Sequence, residues 1–94
     1  MPAMIVKHRV EDFNKWKAVF DEMEQARREY GWTGHELYRD VADPNKITIV
    51  NHMKDLNQAR AYGRSEELRS AMAQAGVQGA PEIFLLNDDE SKKY

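Results

Sequence analysis

Residues 4–10 alternate along the chain. Met4, Val6, His8 and Val10 fall on one side, and Ile5, Lys7 and Arg9 on the other. A period of two predicts a strand with one apolar face. The period then changes. Phe13, Trp16, Phe20, Met23 and Tyr30 recur at helical spacing with Val19 and Ala26 beside them, while Lys15, Asp21, Glu22, Gln25 and Arg28 take the opposite face. This predicts one helix over residues 13–30. Its carboxylate cap is Asp12, Arg27 and Arg28 suit the dipole at its end, and Gly31 stops it. A second strand is expected over residues 34–41. Asp43-Pro44-Asn45 forms a turn, because proline fixes φ and the flanking side chains bond their own backbone. Ile47, Thr48, Ile49 and Val50 centre a third strand over residues 46–53.

Asp55 and Gln58 resemble a capping box for a short helix over residues 56–62 that stops near Gly63. Ser65, with Glu66 and Glu67 behind it, starts another. Leu68, Met72 and Ala75 make its apolar stripe, Ala71 lies alongside, and Gly76 ends it. Gly79-Ala80-Pro81 leads into a last strand over residues 82–86. The polar tail, residues 87–94, is expected to fray.

Strand, helix, strand, strand, helix pair, strand is the order of the split βαβ, or ferredoxin-like, α+β motif. Right-handed crossovers place the helices on one face of a four-stranded antiparallel sheet. The first and third strands should lie in the middle. They are expected to run parallel to each other, with His8 and His52 at similar heights. The other sheet face has no helix to cover it, and carries Ile5, or Ile47 and Ile49, according to strand parity. A second copy packed face to face would hide it, giving a symmetric homodimeric α/β barrel.

Composition sharpens that expectation. Only 18 of the 94 residues are Leu, Ile, Val or Phe, so a lone monomer has little apolar side chain with which to build a core. The length suits one domain, residues 1–94. A net charge of −2, with basic residues dispersed among acidic ones, argues against nucleic acid. No run approaches a membrane span, and the N-terminus has no signal-peptide h-region. The absence of cysteine excludes disulfides and thiolate metal sites, and fits a cytoplasmic protein.

The candidate chemistry centres on imidazoles. His8 shares the apolar face of the first strand, so it should point between sheet and helices. There it could abstract a proton from a carbon acid or a phenol, or simply be a hydrogen-bonded core histidine. The hairpin centred on residues 43–45 places His35 opposite His52, and with His8 all three could gather at one end of the sheet. Three imidazoles suit zinc, copper or iron. That is the lesser reading, since no metal-ligand spacing accompanies it and a slip of one residue sends His35 to the other face. Trp16, Phe20, Met23 and Tyr30 could wall a pocket for a flat apolar ligand, as Tyr38 and Tyr62 could supply hydroxyls, although a plain core uses the same stripe. Trp32, after Gly31, is expected at the surface or on a dimer rim.

The run Val6-Lys7-His8-Arg9-Val10-Glu11-Asp12-Phe13-Asn14-Lys15-Trp16 resembles the opening of small dimeric α/β-barrel proteins. So does Asp43-Pro44-Asn45 before a Val/Ile strand, and so does Ser65-x-Glu67-Leu68-x-x-Ala71-Met72-x-x-Ala75-Gly76-Val77-x-Gly79-x-Pro81. The resemblance spans residues 4–86 and is to antibiotic biosynthesis monooxygenase-like and polyketide cyclase-like proteins. It implies a homodimer with a ligand pocket in each subunit between sheet and helices. Some of these proteins use an Asn, Trp and His set in that cleft. Asn51 invites the comparison, but the first-strand asparagine has no counterpart, because His8 stands there. The helix over residues 66–75 has no histidine to ligate haem.

Residues and resemblance together give two expectations. One is an enzyme without bound cofactor, a monooxygenase or a cyclase/isomerase acting on a small apolar or aromatic molecule. His8 would be its base, and Trp16, Phe20, Tyr38, Asn51, His52 and Tyr62 would shape its pocket. The other is a ligand-binding or stress-related dimer without turnover.

Overall fold

The computed structural model describes residues 2–94. Its elements are β1 (Ala3–Val10), α1 (Phe13–Glu22), α2 (Glu24–Glu29), β2 (Trp32–Arg39), β3 (Lys46–Met53), α3 (Leu56–Gly63), α4 (Glu66–Ala75) and β4 (Val77–Leu86). The strands form one sheet in the order β2-β3-β1-β4, the α+β ferredoxin-like arrangement expected. No helix among the described residues is long and apolar enough to cross a membrane.

The caps lie where the side chains demand. The Asp12 carboxylate accepts from the Asn14 and Lys15 amides, Asp55 from Asn57, and the Ser65 hydroxyl from Leu68. Gly76 closes α4 at φ 75°, in the left-handed region that a side chain disfavours.

β1 and β3 are antiparallel, with Ala3 opposite His52 and His8 opposite Ile47. This corrects the parallel expectation. The crossover through α1 and α2 returns β2 in the direction of β1, and the hairpin then reverses β3. His8 and His52 therefore lie at opposite ends of the shared ladder.

Parity divides the sheet cleanly, because residues paired directly across strands share a face. Met4, Val6, His8 and Val10 face the helices with Ile47, Ile49, Asn51 and Met53. Ile5 faces the other way, between Val50 and Phe84, and Ala3 stands between His52 and Leu86. That second face is open: Phe84 and Leu86 are each 43% exposed.

Two irregularities shape the helix side. The helix expected over residues 13–30 breaks at Met23 (φ −86°, ψ 3°) into α1 and α2. The last strand begins at Val77 rather than Glu82, and carries a bulge. Gln78 pairs with Arg9 and Glu82 with Lys7, so Gly79, Ala80 and Pro81 stand against His8 alone. Gly79 takes φ 70° there. Trp32, expected at the surface, is buried. It opens β2 ahead of a register shift and packs edge-on against Tyr62 at 4.9 Å.

Candidate functional site

A cavity of about 210 Å3 lies between the sheet and the helices. The sheet supplies Met4, Val6 and His8 from β1, Ile49 and Asn51 from β3, and Ile83 and Leu85 from β4. The helices supply Trp16, Val19 and Phe20 from α1, Met23 at the break after it, Ala59 and Tyr62 from α3, and Leu68, Ala71, Met72 and Ala75 from α4. Small side chains on α4 leave the space: where Ala71 and Ala75 face the sheet, a leucine would reach across. Ile83 and Leu85 line the cavity yet stay 49% and 38% exposed, so its mouth opens along β4.

An aromatic row forms one wall. His8 meets the edge of Trp16 at 5.6 Å, Trp16 stacks on Phe20 at 4.8 Å, and Phe20 meets His35 at 5.0 Å. The row follows from the i, i+4 spacing of Trp16 and Phe20 on α1. A flat ligand can lie along such a surface.

His8 is the chemically unusual member. Both ring nitrogens are buried, and neither has a hydrogen-bond partner. Leaving a buried polar atom unpaired costs about 1–3 kcal/mol. Burial also lowers its pKa from the ordinary 6.5, which holds the ring neutral at neutral pH. A neutral imidazole with a free lone pair is available as a base to a ligand in the cavity. The Trp32 indole N–H is likewise buried and unpartnered on the same cavity. Asn51, only 3% exposed, spends its side-chain amide on the Met4 carbonyl at 3.2 Å, and so ties β3 to β1 beside the cavity.

The proposed ligand residues thus separate into two groups. His8, Trp16, Phe20, Asn51 and Tyr62 meet at one cavity. Tyr38 and His52 do not reach it. Gly34 pairs with His52 and His35 with Asn51, one residue away from the expected register. The slip turns His35 to the helix face and Tyr38 to the open face, which His52 already shares by the alternation of β3. There His52 Nε2 sits 2.7 Å from Glu36 Oε1, and Tyr38 is 57% exposed. The three histidines therefore do not converge. Among the described residues no group of three His, Asp or Glu is placed to hold a metal.

One residue of the site escaped the sequence reading. Arg27 was assigned to the dipole at a helix end. It is instead 5% exposed and lines the cavity. Its guanidinium covers the Phe20 ring at 3.8 Å and donates to the Phe20 carbonyl at 2.7 Å. The signal was present: Arg27 follows Phe20 by seven residues and Met23 by four, inside the apolar stripe.

The histidine shifts set an acid limit on stability. Burial lowers the His8 pKa, and burial, then the charges of Arg27 and Lys17, lower that of His35. Below about 6.5 the unfolded chain takes up protons that the folded chain refuses, so stability present above that pH is lost as pH falls toward the folded values. Urea titrations across this range should show a decline of up to about 1.4 kcal/mol per pH unit for each such group, less for the exposed His35. Replacing His8 with leucine should remove most of it, and an unchanged decline in that variant would contradict the assignment.

Comparison with solved structures finds this fold repeatedly. SnoaB, a cofactor-independent oxygenase from Streptomyces nogalater, superimposes with a TM-score of 0.78 at 14% identity, over 96% of this chain and 94% of that one. An antibiotic biosynthesis monooxygenase superimposes at 0.73, with 13% identity over 96% and 100%. A conserved protein from Methanosarcina mazei superimposes at 0.74, with 16% identity over 94% and 92%. No family model and no curated protein matches the sequence. The fold of antibiotic biosynthesis monooxygenase-like proteins, implied by the sequence motifs, is the fold found.

Proposed function

We propose that the protein is an enzyme without bound cofactor that takes a small aromatic or apolar molecule into the cavity and removes a proton from it with His8. The observation that carries this reading is the neutral imidazole, buried with both nitrogens unpartnered among the described residues, on a cavity wall made mostly of apolar side chains. A substrate C–H or phenolic O–H supplies the missing partner, and burial of the ring keeps the base neutral. The resulting carbanion or phenolate, held along Trp16 and Phe20, has two outlets. It can reduce dioxygen, turning a ring CH2 into C=O with one oxygen retained and the other leaving as water. It can instead attack or reprotonate within the same molecule, as in cyclisation or isomerisation. The cofactor-independent oxygenase activity of SnoaB, on the same fold, supports the first outlet.

The working form in this proposal is a homodimer closed over the open sheet face. Ile5, Val50, Phe84, Leu86 and Tyr38 supply an apolar surface on the side opposite the cavity. The cavity and the dimer contact are thus separable by mutation.

A thermal-shift screen of aromatic compounds tests the ligand part. A ligand at a hundredfold its Kd adds about 2.7 kcal/mol of stability, or roughly 10 °C in Tm for a chain of this size. Ala71→Leu fills the cavity from α4. The variant should be as stable as the parent or about 1 kcal/mol more so, and should lose the ligand-induced shift. A shift that survives Ala71→Leu would place the ligand elsewhere.

A further inference from the structure

We propose that the end of the cavity away from His8 is an anion subsite anchored by Arg27, so that the ligand is a flat aromatic carboxylate. This rests on the cavity reading given above and specifies its substrate class.

Charge is distributed one way around the cavity. Arg27 stands inside it, and Arg60 and Arg64, one turn apart at the end of α3, line its edge. Among the described residues no aspartate or glutamate lines it, although the chain as a whole carries more acidic than basic residues. Neither Arg60 nor Arg64 is in an ion pair among the described residues.

Arg27 is the decisive group, because it is more than nine-tenths buried. Buried charges are normally matched by a counter-ion in contact. Its hydrogen bond goes instead to the Phe20 carbonyl, and the Tyr62 side chain on the same cavity is neutral as well. Asp21 and Glu24 stabilise it only through space, without an ion-pair contact. A guanidinium presents five N–H donors in a planar fork, and the bond to Phe20 engages only part of it. A carboxylate can take a bidentate pair of those donors, and in a dry site that bond is strong.

The layout places this anion relative to the chemistry. His8 and Arg27 stand at opposite ends of the Trp16–Phe20 stack: His8 touches Trp16, and Arg27 covers Phe20. A ring system lying along the stack would put its carboxylate at Arg27 and its acidic C–H or O–H at His8. Arg60 and Arg64 at the edge would draw the anion in, an effect that salt weakens.

The test compares two naphthols by tryptophan fluorescence and calorimetry. One carries a carboxylate at the end of the ring pair opposite the phenol, and the other carries the matching neutral carboxamide. The wild-type protein should bind the carboxylate at least tenfold more tightly. That preference should fade as pH drops below the ligand's own carboxyl pKa. Arg27→Met should lose most of that preference, weakening the carboxylate at least tenfold more than the carboxamide. Arg60→Gln with Arg64→Gln should give a smaller, salt-sensitive loss. Equal binding by the wild type would overturn the anion subsite and leave the cavity reading intact. Equal weakening of both ligands by Arg27→Met would also overturn it, since a residue that only braces α1 and α2 acts on both alike. If neither compound binds, both readings fail together. The wild-type comparison and its pH dependence decide the matter even if Arg27→Met does not fold.

Discussion

Replacing His8 with leucine should raise the free energy of unfolding by about 1–2 kcal/mol and lower turnover of any substrate of the cavity by about 10²–10⁴-fold. The two effects have one cause. The imidazole holds two buried nitrogens without partners, and an apolar side chain of similar size removes that penalty. The same change removes the only histidine on the cavity wall among the described residues, a base kept neutral at neutral pH. A histidine kept only for packing would behave differently, with leucine neutral or destabilising and activity untouched. His8→Ala leaves a void in place of the ring, so it should lose the same turnover without the gain in stability. Urea denaturation and steady-state kinetics on the two variants separate the readings. Retained turnover in both would remove the proton-transfer role.

Placing a charge on the other side of the sheet should divide the dimer and leave the cavity alone. Phe84 pairs with Ile5, which pairs with Val50, and together they form the middle row of the open face. Glutamate at position 84 withdraws a large aromatic surface from the contact and puts a carboxylate into it. Losing the burial of one such side chain is worth about 2–3 kcal/mol. A two-fold interface counts the change twice, so association should weaken about a thousandfold or more. Light scattering should report a dimer for the wild type and a monomer for Phe84→Glu. Tm should rise with concentration for the first and not for the second. A monomeric wild type, or an unaffected variant, would contradict the dimer.

Much of this architecture is legible in the chain. β3 starts and ends at Lys46 and Met53, around the Ile47–Val50 centre that marks it in the sequence. Ser65 and Gly76 bound α4 as the capping chemistry requires. The alternation in β1 assigned His8 to the helix side. What failed was whatever depends on counting across strands. The Asp43-Pro44-Asn45 turn marks a reversal without fixing how many loop residues stand on each side of it. The true register, His35 against Asn51, differs by one position from the expected one. With a side-chain period of two, that single position exchanged the faces of His35 and Tyr38, while the alternation of β3 put His52 on the open face, and the three-histidine cluster dissolved. The antiparallel course of β1 and β3 was implied by the hairpin and was misread.

Other features were hidden because residue type outweighed position. Arg27 reads as a surface cation, yet its place in the apolar stripe puts it on the cavity. Trp32 follows a glycine at a helix end, where loop and strand look alike, and the strand begins with it. Gly79 and Pro81 read as a break before a strand. They are a bulge inside one, standing against His8 and interrupting the ladder beside the residue proposed to do chemistry.

The account stands on His8 being a neutral, unpartnered base that a cavity ligand engages. Ring-nitrogen NMR of His8 at neutral pH, without and with a saturating hydroxynaphthoate, tests this most directly. The account predicts a neutral ring in the free protein, titrating below 6.5, and a shift of one ring nitrogen as it accepts the ligand's O–H. A ring already protonated at neutral pH, or nitrogens unmoved when the ligand is bound, would contradict it.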